Sequence, residues 1–264
     1  MLEFFGLSRD ENGNFDFLRE AEGAWSWQHI TFVSIMLIIM FILAIVIGNK
    51  FKNKEYKDKN KVLVISAILI DSFEIVKIIV LSIRAMDPFK FRYVLPLFLC
   101  SIMLIAIPLA AFSKGRLKEA CLDFVLTFGI LGGVLGTVGA TQNYAAYPVL
   151  SMDNVFSAIT HCISAFSSLY IGISGMKSLK NKNLPITLGI LLGFSVVAYV
   201  VNIIVDYNYM FLMYHDDTPY SIVYNLVNGN KILYPLTVVG LFVIYILGFY
   251  GINTLIEKRK INKK

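Results

Sequence analysis

The chain has 264 residues, 57% of them hydrophobic and 16% charged, with a net charge of +6 and a mean hydropathy of +0.68. So much apolar side chain exceeds what a single soluble core of this size needs, which excludes a water-soluble globular domain and makes a bilayer the expected solvent. The basic residues form no clustered face of the kind nucleic-acid binding requires, so membrane lipids are the expected partners and no nucleic acid is.

Residues 1–27 read as an outer amino-terminal extension. It carries Glu3, Asp10, Glu11, Asp16, Glu20 and Glu22, and it lacks the basic start and short apolar core of a cleaved signal. Trp25 and Trp27 mark the interface where the first span enters the membrane. Apolar stretches of about 20 residues, the length a helix needs to cross a core of about 30 Å, follow at 28–48, 62–85, 92–112, 119–139, 153–175, 186–207 and 232–256. Membrane-spanning β-strands would be shorter and would alternate. The predicted fold class is therefore all-α: a polytopic cell-membrane protein with seven transmembrane helices in a domain covering 28–256, followed by a basic cytoplasmic tail at 257–264.

Lysine and arginine give the orientation. With the amino terminus outside, the inner segments hold Lys50, Lys52, Lys54, Lys57, Lys59 and Lys61, then Lys114, Arg116 and Lys118, then Lys177, Lys180 and Lys182, then five residues of the tail, 17 of the 24 basic residues in all. The outer segments hold Arg9, Arg19, Arg84, Lys90, Arg92 and Lys231, and Lys77 alone falls within a span. This alternation predicts an N-out, C-in topology. The lysine- and asparagine-rich first inner loop reads as a solvated loop tethered to the membrane surface. Cys100, Cys121 and Cys162 lie in or at the ends of spans, an odd number placed against any disulfide framework.

Inside the second span, "ILIDSFEIVKIIV" places Asp71, Glu74 and Lys77 three residues apart, on one helix face. The fifth span repeats the pattern with Ser157, His161, Ser164 and Ser168, and the sixth with Ser195, Tyr199, Asn202 and Asp206. Charges at membrane depth cost several kcal/mol even on lenient scales. Such stripes are expected to face one another around a polar cavity, because lipid cannot satisfy them. At about 1.5 Å per residue, Lys77, Glu74, Cys100 and His161 fall at matching depths in the outer half of the membrane. Each feature also has a purely structural reading. Glu74 and Lys77 can neutralise each other, His161 can bond Ser157 or a backbone carbonyl, and Cys100 can be a small packing residue. Gly129, Gly132, Gly133, Gly136 and Gly139 on the fourth span read as permitting close helix packing.

Two constellations carry chemistry. In one, Cys100 or a serine of the fifth span attacks an acyl group, His161 is the base, and Glu74 or Asp71 orients the imidazole. In the other, Glu74, Asp71, His161 and Asp206 bind a cation or relay protons. No HExxH-type spacing exists and no metal site is predicted; the residues indicate no particular cofactor. Residues 207–231 hold Tyr207, Tyr209, Tyr214, Tyr220 and Tyr224, an aromatic outer lid or interfacial helix through which an acyl chain could enter sideways. A transporter would need a second, inner gate, and no matching polar stripe is seen there.

"YVLPLFLCSI" from Tyr93, "ITHCISAFSSLYIG" from Ile159 and "DYNYMFLMY" from Asp206 resemble the signature regions of the YwaF-type bacterial integral-membrane proteins, in the same order. "WSWQHI" with His29 and the acidic Glu74 are similar to that family's early motifs. The resemblance covers nearly the whole chain. That family is distantly similar to a eukaryotic multipass acyltransferase acting on ether lysophospholipids and to androgen-induced hydrolases of fatty-acid esters. It implies an embedded polar site for lipid acyl transfer or ester hydrolysis, with His161 at the position of the family's helix-5 histidine. The substrate-binding candidates are Asp71, Lys77, Ser157, Ser164, Tyr199, Asn202, Asp206, Tyr209 and His29. Phe98 stands where the family's helix-3 histidine belongs, and Leu97 where the acyltransferase has its cysteine, so Cys100 does not inherit that role by position. The alternatives are transport or binding of a small polar solute or ion, and a non-catalytic structural role.

Overall fold

The protein, described by a computed structural model over residues 1–86, 92, 95–177, 179–216 and 218–261, is largely helical. The approach to the third span, with Lys90 and Tyr93, lies outside the described residues, as does the end of the basic tail at 262–264. The long helices are α1 (Trp27–Phe51), α2 (Tyr56–Arg84), α3 (Met103–Phe112), α4 (Gly115–Val138), α6 (Met152–Ser174), α7 (Leu184–Val205) and α9 (Leu233–Ile261); two short ones, α5 (Thr141–Ala146) and α8 (Ser221–Leu226), lie in the connections.

Among the described residues, five helical stretches are long and apolar enough to cross a membrane: Trp27–Phe51, Gly115–Ala146, Met152–Ser174, Asn181–Val205 and Leu233–Ile256. The chain is a multi-pass membrane protein. Helix α2 has the length, 29 residues, and is set apart by its charges. Helix α3, with ten residues, is about half a crossing at 1.5 Å per residue.

Local chemistry fixes several helix ends. The Ser26 hydroxyl accepts the His29 N–H at 3.2 Å to start α1, and Ser151 accepts the Asn154 N–H at 3.3 Å to start α6. Gly175, with φ of 77°, closes α6 in the left-handed conformation. Pro185 opens the first turn of α7, where no N–H is missed.

Helix α6 is the centre of the bundle. It packs along α4, α1 and α2, while α3 fills the space between α2 and α4. Helix α7 leans instead on α4 and α9. The approach of α4 to α6 depends on two glycines. A Cβ on Gly129 would lie 2.6 Å from the Ser164 carbonyl, and one on Gly133 2.5 Å from the His161 carbonyl. Gly139, also expected to serve packing, meets only its own helix.

Where the lysine-rich loops gather, Asp123 is fully buried and accepts the Leu179 N–H at 2.6 Å, the Asn183 amide at 3.2 Å and the Tyr250 hydroxyl at 3.0 Å. One carboxylate thereby ties the loop after α6 to α4 and α9. At the opposite end, the amino-terminal segment folds into a two-stranded ribbon, β1 (Ser8–Arg9) antiparallel to β2 (Phe15–Asp16). Its turn is organised by Asp10, which accepts the Asn12 and Asn14 N–H groups at 2.9 and 2.8 Å. The Asn14 amide above all holds the Asp10 carboxyl below the ordinary aspartate value.

The third span departs from the expected continuous helix over 92–112. Residues 95–98 are irregular, Leu99–Ile102 is a single 3₁₀ turn, and α-helix begins only at Met103. Pro96 supplies the reason: it offers no N–H and pushes Leu95 out of helical geometry. The Tyr209 hydroxyl meets the freed backbone, accepting the Leu95 N–H at 3.0 Å and donating to the Arg92 carbonyl at 2.8 Å.

Candidate functional site

Helices α2 and α6, the 3₁₀ turn Leu99–Ile102 and the start of α3 line a polar chamber of about 40 Å³, room for two or three waters. Glu74, Lys77, Cys100, Ser101, Thr160, Ser157, His161 and Ser164 line it, and Ile70 and Leu104 complete it. It opens into a vestibule of about 560 Å³ that shares Glu74, Lys77, Cys100, Ser101, Ser157 and His161 and adds Leu95, Phe98, Tyr147 and Tyr207. This volume lies within the range of small-molecule sites.

The geometry assigns the histidine's proton. His161 Nδ1 lies 2.7 Å from the Ser157 carbonyl and 3.3 Å from the Ser157 hydroxyl. A carbonyl only accepts, so Nδ1 carries the hydrogen and Nε2 keeps its lone pair in the neutral ring. The Cys100 thiol stands within interaction distance of that imidazole. The ring itself rests on Gly136: any Cβ there would overlap Nε2 and Cδ2. Lys77 Nζ donates to Glu74 Oε2 at 2.7 Å, and both side chains are mostly buried, with 23% and 10% exposed. The polar face of α2 thus presents an ion pair to the thiol and imidazole.

The vestibule has a roof. Phe15, Asp16 and Phe17 of the amino-terminal ribbon cover it. Arg84, at the end of α2, holds that ribbon: Nη1 and Nη2 donate to Asp153 at 3.2 and 2.9 Å, Nη2 also donates to the Phe5 carbonyl at 2.7 Å, and the guanidinium lies 4.8 Å from the Phe17 ring. Glu22 further ties the segment to α6's approach by accepting the Val149 N–H at 2.7 Å. On another side Phe98 packs edge-on against Tyr207 and Tyr209, with centroids 6.5 and 5.3 Å apart.

Of the residues singled out in the sequence, the chamber brings together Glu74, Lys77, Cys100, Ser157, His161 and Ser164. Asp71 sits one turn before Glu74 and does not line it. The α7 candidates are elsewhere, because α7 does not pack on α2 or α6. Asn202 is a structural clamp, accepting the Tyr209 N–H at 2.6 Å and donating to the Tyr209 carbonyl at 2.9 Å. Tyr199 packs with the apolar core, and Asp206 is an exposed residue ending α7 at φ of 52°. His29 is buried beneath Tyr144, ring centroids 3.9 Å apart, with Nδ1 accepting the Trp25 N–H at 2.9 Å.

Sequence reasoning missed the imidazole's resting place at Gly136 and the roof of Phe15–Phe17. The first was legible as a glycine one turn from Gly132 and Gly133, and the second as the alternating "FDF" of an otherwise acidic stretch. Among the described residues no group of three or more histidine, cysteine or acidic side chains gathers as a metal site.

Helices around a half-wet chamber define a polytopic membrane protein with an embedded polar site. The chain belongs to the TMEM164 family, whose model matches residues 24–254. No curated protein sequence and no solved structure matches it.

Proposed function

We propose that this chain is a seven-helix membrane enzyme, amino terminus outside, that transfers or hydrolyses acyl groups of lipids in the chamber. The observation that carries the reading is that Cys100 shares the chamber with an imidazole whose Nδ1 proton is fixed by the Ser157 carbonyl, leaving Nε2 as the base. His161 takes the thiol proton and the Cys100 sulfur attacks the carbonyl carbon of an acyl ester. The ester C–O bond breaks, and the departing alcohol leaves with the proton from Nε2. The thioester then yields its acyl group to a lipid hydroxyl or to water, which gives its proton to His161 as the thiolate departs; that thiolate re-forms the thiol. Lys77 faces the oxygen that gains charge in each step, and Glu74 holds Lys77 there. The aromatic wall of Phe98 and Tyr207 suits an acyl chain. In this reading α2 and the third segment, from residue 95 through α3, complete seven crossings with the five apolar ones, and the lysine asymmetry supports the N-out orientation.

The two ion pairs of the vestibule, Glu74–Lys77 and Arg84–Asp153, also favour a second reading, binding of a small zwitterionic solute. Acyl exchange by purified protein in mixed-lipid liposomes separates the two. Transfer or fatty-acid release is expected from the parent and is lost by at least 100-fold in His161→Ala and Cys100→Ser variants with unchanged thermal midpoints. Full activity in a Cys100→Ala variant removes covalent catalysis at this position, and an inactive parent that retains zwitterionic solutes favours binding.

A further inference from the structure

A second cavity, of about 540 Å³, runs along the lipid-facing seam of α1, α2 and α6. At 100° per residue, its α6 residues Cys162, Ile163 and Phe166 project from the flank opposite His161, so α6 separates it from the chamber. Its walls are apolar, and along them Ser66 and Cys162 are already engaged: Ser66 donates to the Val62 carbonyl at 3.0 Å and Cys162 to the Met36 carbonyl at 3.8 Å. One end is different. Lys50, in the last turn of α1, lines it. The chain then continues into a short loop where Lys52, Lys54 and one carboxylate, Glu55, are exposed, and Lys57 stands exposed in the first turn of α2, while Asp58 is engaged by Lys61 at 2.7 Å.

We propose that this groove is a binding site for an anionic phospholipid, one acyl chain lying along the seam and the phosphate against Lys50 and its loop. An apolar slot of this size accepts a chain from any phospholipid. The basic end is what selects, because juxtamembrane lysines each attract an anionic headgroup by about 1 kcal/mol. Slot and charge meet at Lys50, so chain and headgroup are held by one site. The bound lipid holds α1, the helix with the least buried membrane window, against α2 and α6.

The test uses the full chain, delipidated in detergent, with dioleoyl phosphatidylglycerol, dioleoyl phosphatidylcholine and soluble glycerol phosphate as separate additions, read by native mass spectrometry and thermal melting. One phosphatidylglycerol per chain is expected, with a raised midpoint; phosphatidylcholine binds more weakly and glycerol phosphate does nothing. Lys50→Gln weakens phosphatidylglycerol binding about fivefold and Lys54→Gln does so less. Ile65→Trp, at a position 57% exposed in the groove, blocks both lipids, whereas Ile203→Trp on α7 blocks neither; Leu69→Trp replaces Ile65→Trp if that variant does not fold. Equal retention of the two lipids, binding of glycerol phosphate alone, indifference to Ile65→Trp and Leu69→Trp, or a dimer that covers the groove would each overturn the proposal.

Discussion

At the scale of the residue, the chamber depends on a missing side chain. Gly136→Ala would place a methyl group in the imidazole's space, so His161 must turn away. The expected result is loss of activity comparable to His161→Ala with a drop in stability of only about 1–3 kcal/mol, the usual range for overpacking. Thermal melting beside the liposome assay checks it; an active Gly136→Ala enzyme would show that the ring position is unimportant. The Glu74–Lys77 pair makes a second prediction. Removing one partner leaves a mostly buried charge, so Lys77→Met alone should destabilise by about 2–4 kcal/mol, while Glu74→Gln combined with Lys77→Met recovers much of the loss. A double-mutant cycle with no coupling would mean that chamber water screens both groups. Much of this was legible: the 3- and 4-residue spacing of Asp71, Glu74, Lys77, Ser157 and His161 shows shared faces. Which stripe meets which was not, since periodicity within one helix says nothing about its neighbours. That is why α7's Tyr199, Asn202 and Asp206 were grouped with a chamber they do not line.

At the scale of the element, the amino-terminal ribbon is a strap fastened by one arginine. Arg84→Met leaves Asp153 without its partner and frees the Phe5 carbonyl. Protease cleavage between residues 9 and 20 should then rise at least tenfold, and Asp153→Asn should do less because the Phe5 and Phe17 contacts remain. Equal cleavage of parent and Arg84→Met would mean that Glu22 and the aromatic packing suffice. Acid should loosen the ribbon's turn as well. With the Asp10 value depressed in the folded state, its contribution is complete above the ordinary aspartate value and disappears as pH falls through the lower, folded one. The helix boundaries explain where sequence reading stops. The predicted spans begin late on α2 and α4, at 62 and 119 where the helices begin at Tyr56 and Gly115, because charged first turns remain helical after hydropathy has fallen. The third span was drawn as one helix because hydropathy does not register Pro96 or the hydroxyl of Tyr209.

At the scale of the whole molecule, the two ends of the bundle are held differently. One is a strap over a vestibule; the other is a carboxylate staple at Asp123. Replacing Asp123 by Leu should lower stability by about 3–5 kcal/mol, because the buried Leu179 N–H loses its carboxylate acceptor while the Asn183 amide and Tyr250 hydroxyl are left with Glu119 and Thr187 alone. Chemical unfolding in detergent measures this, and a change below about 1 kcal/mol would mean that water replaces the carboxylate.

The interrupted third segment also bears on how the polypeptide is made. An α-helix of ten residues spans about 15 Å, too little to settle alone in a hydrocarbon layer of about 30 Å. The backbone of residues 95–98 cannot face lipid unsatisfied. The hydroxyl that accepts the Leu95 N–H belongs to Tyr209, 114 residues later. At a synthesis rate of roughly 5–20 residues per second, that partner, 114 residues on, leaves the ribosome about 6–23 s after Leu95. During this interval the insertion machinery must shelter a half-crossing whose last backbone bond is made only by a tyrosine not yet translated.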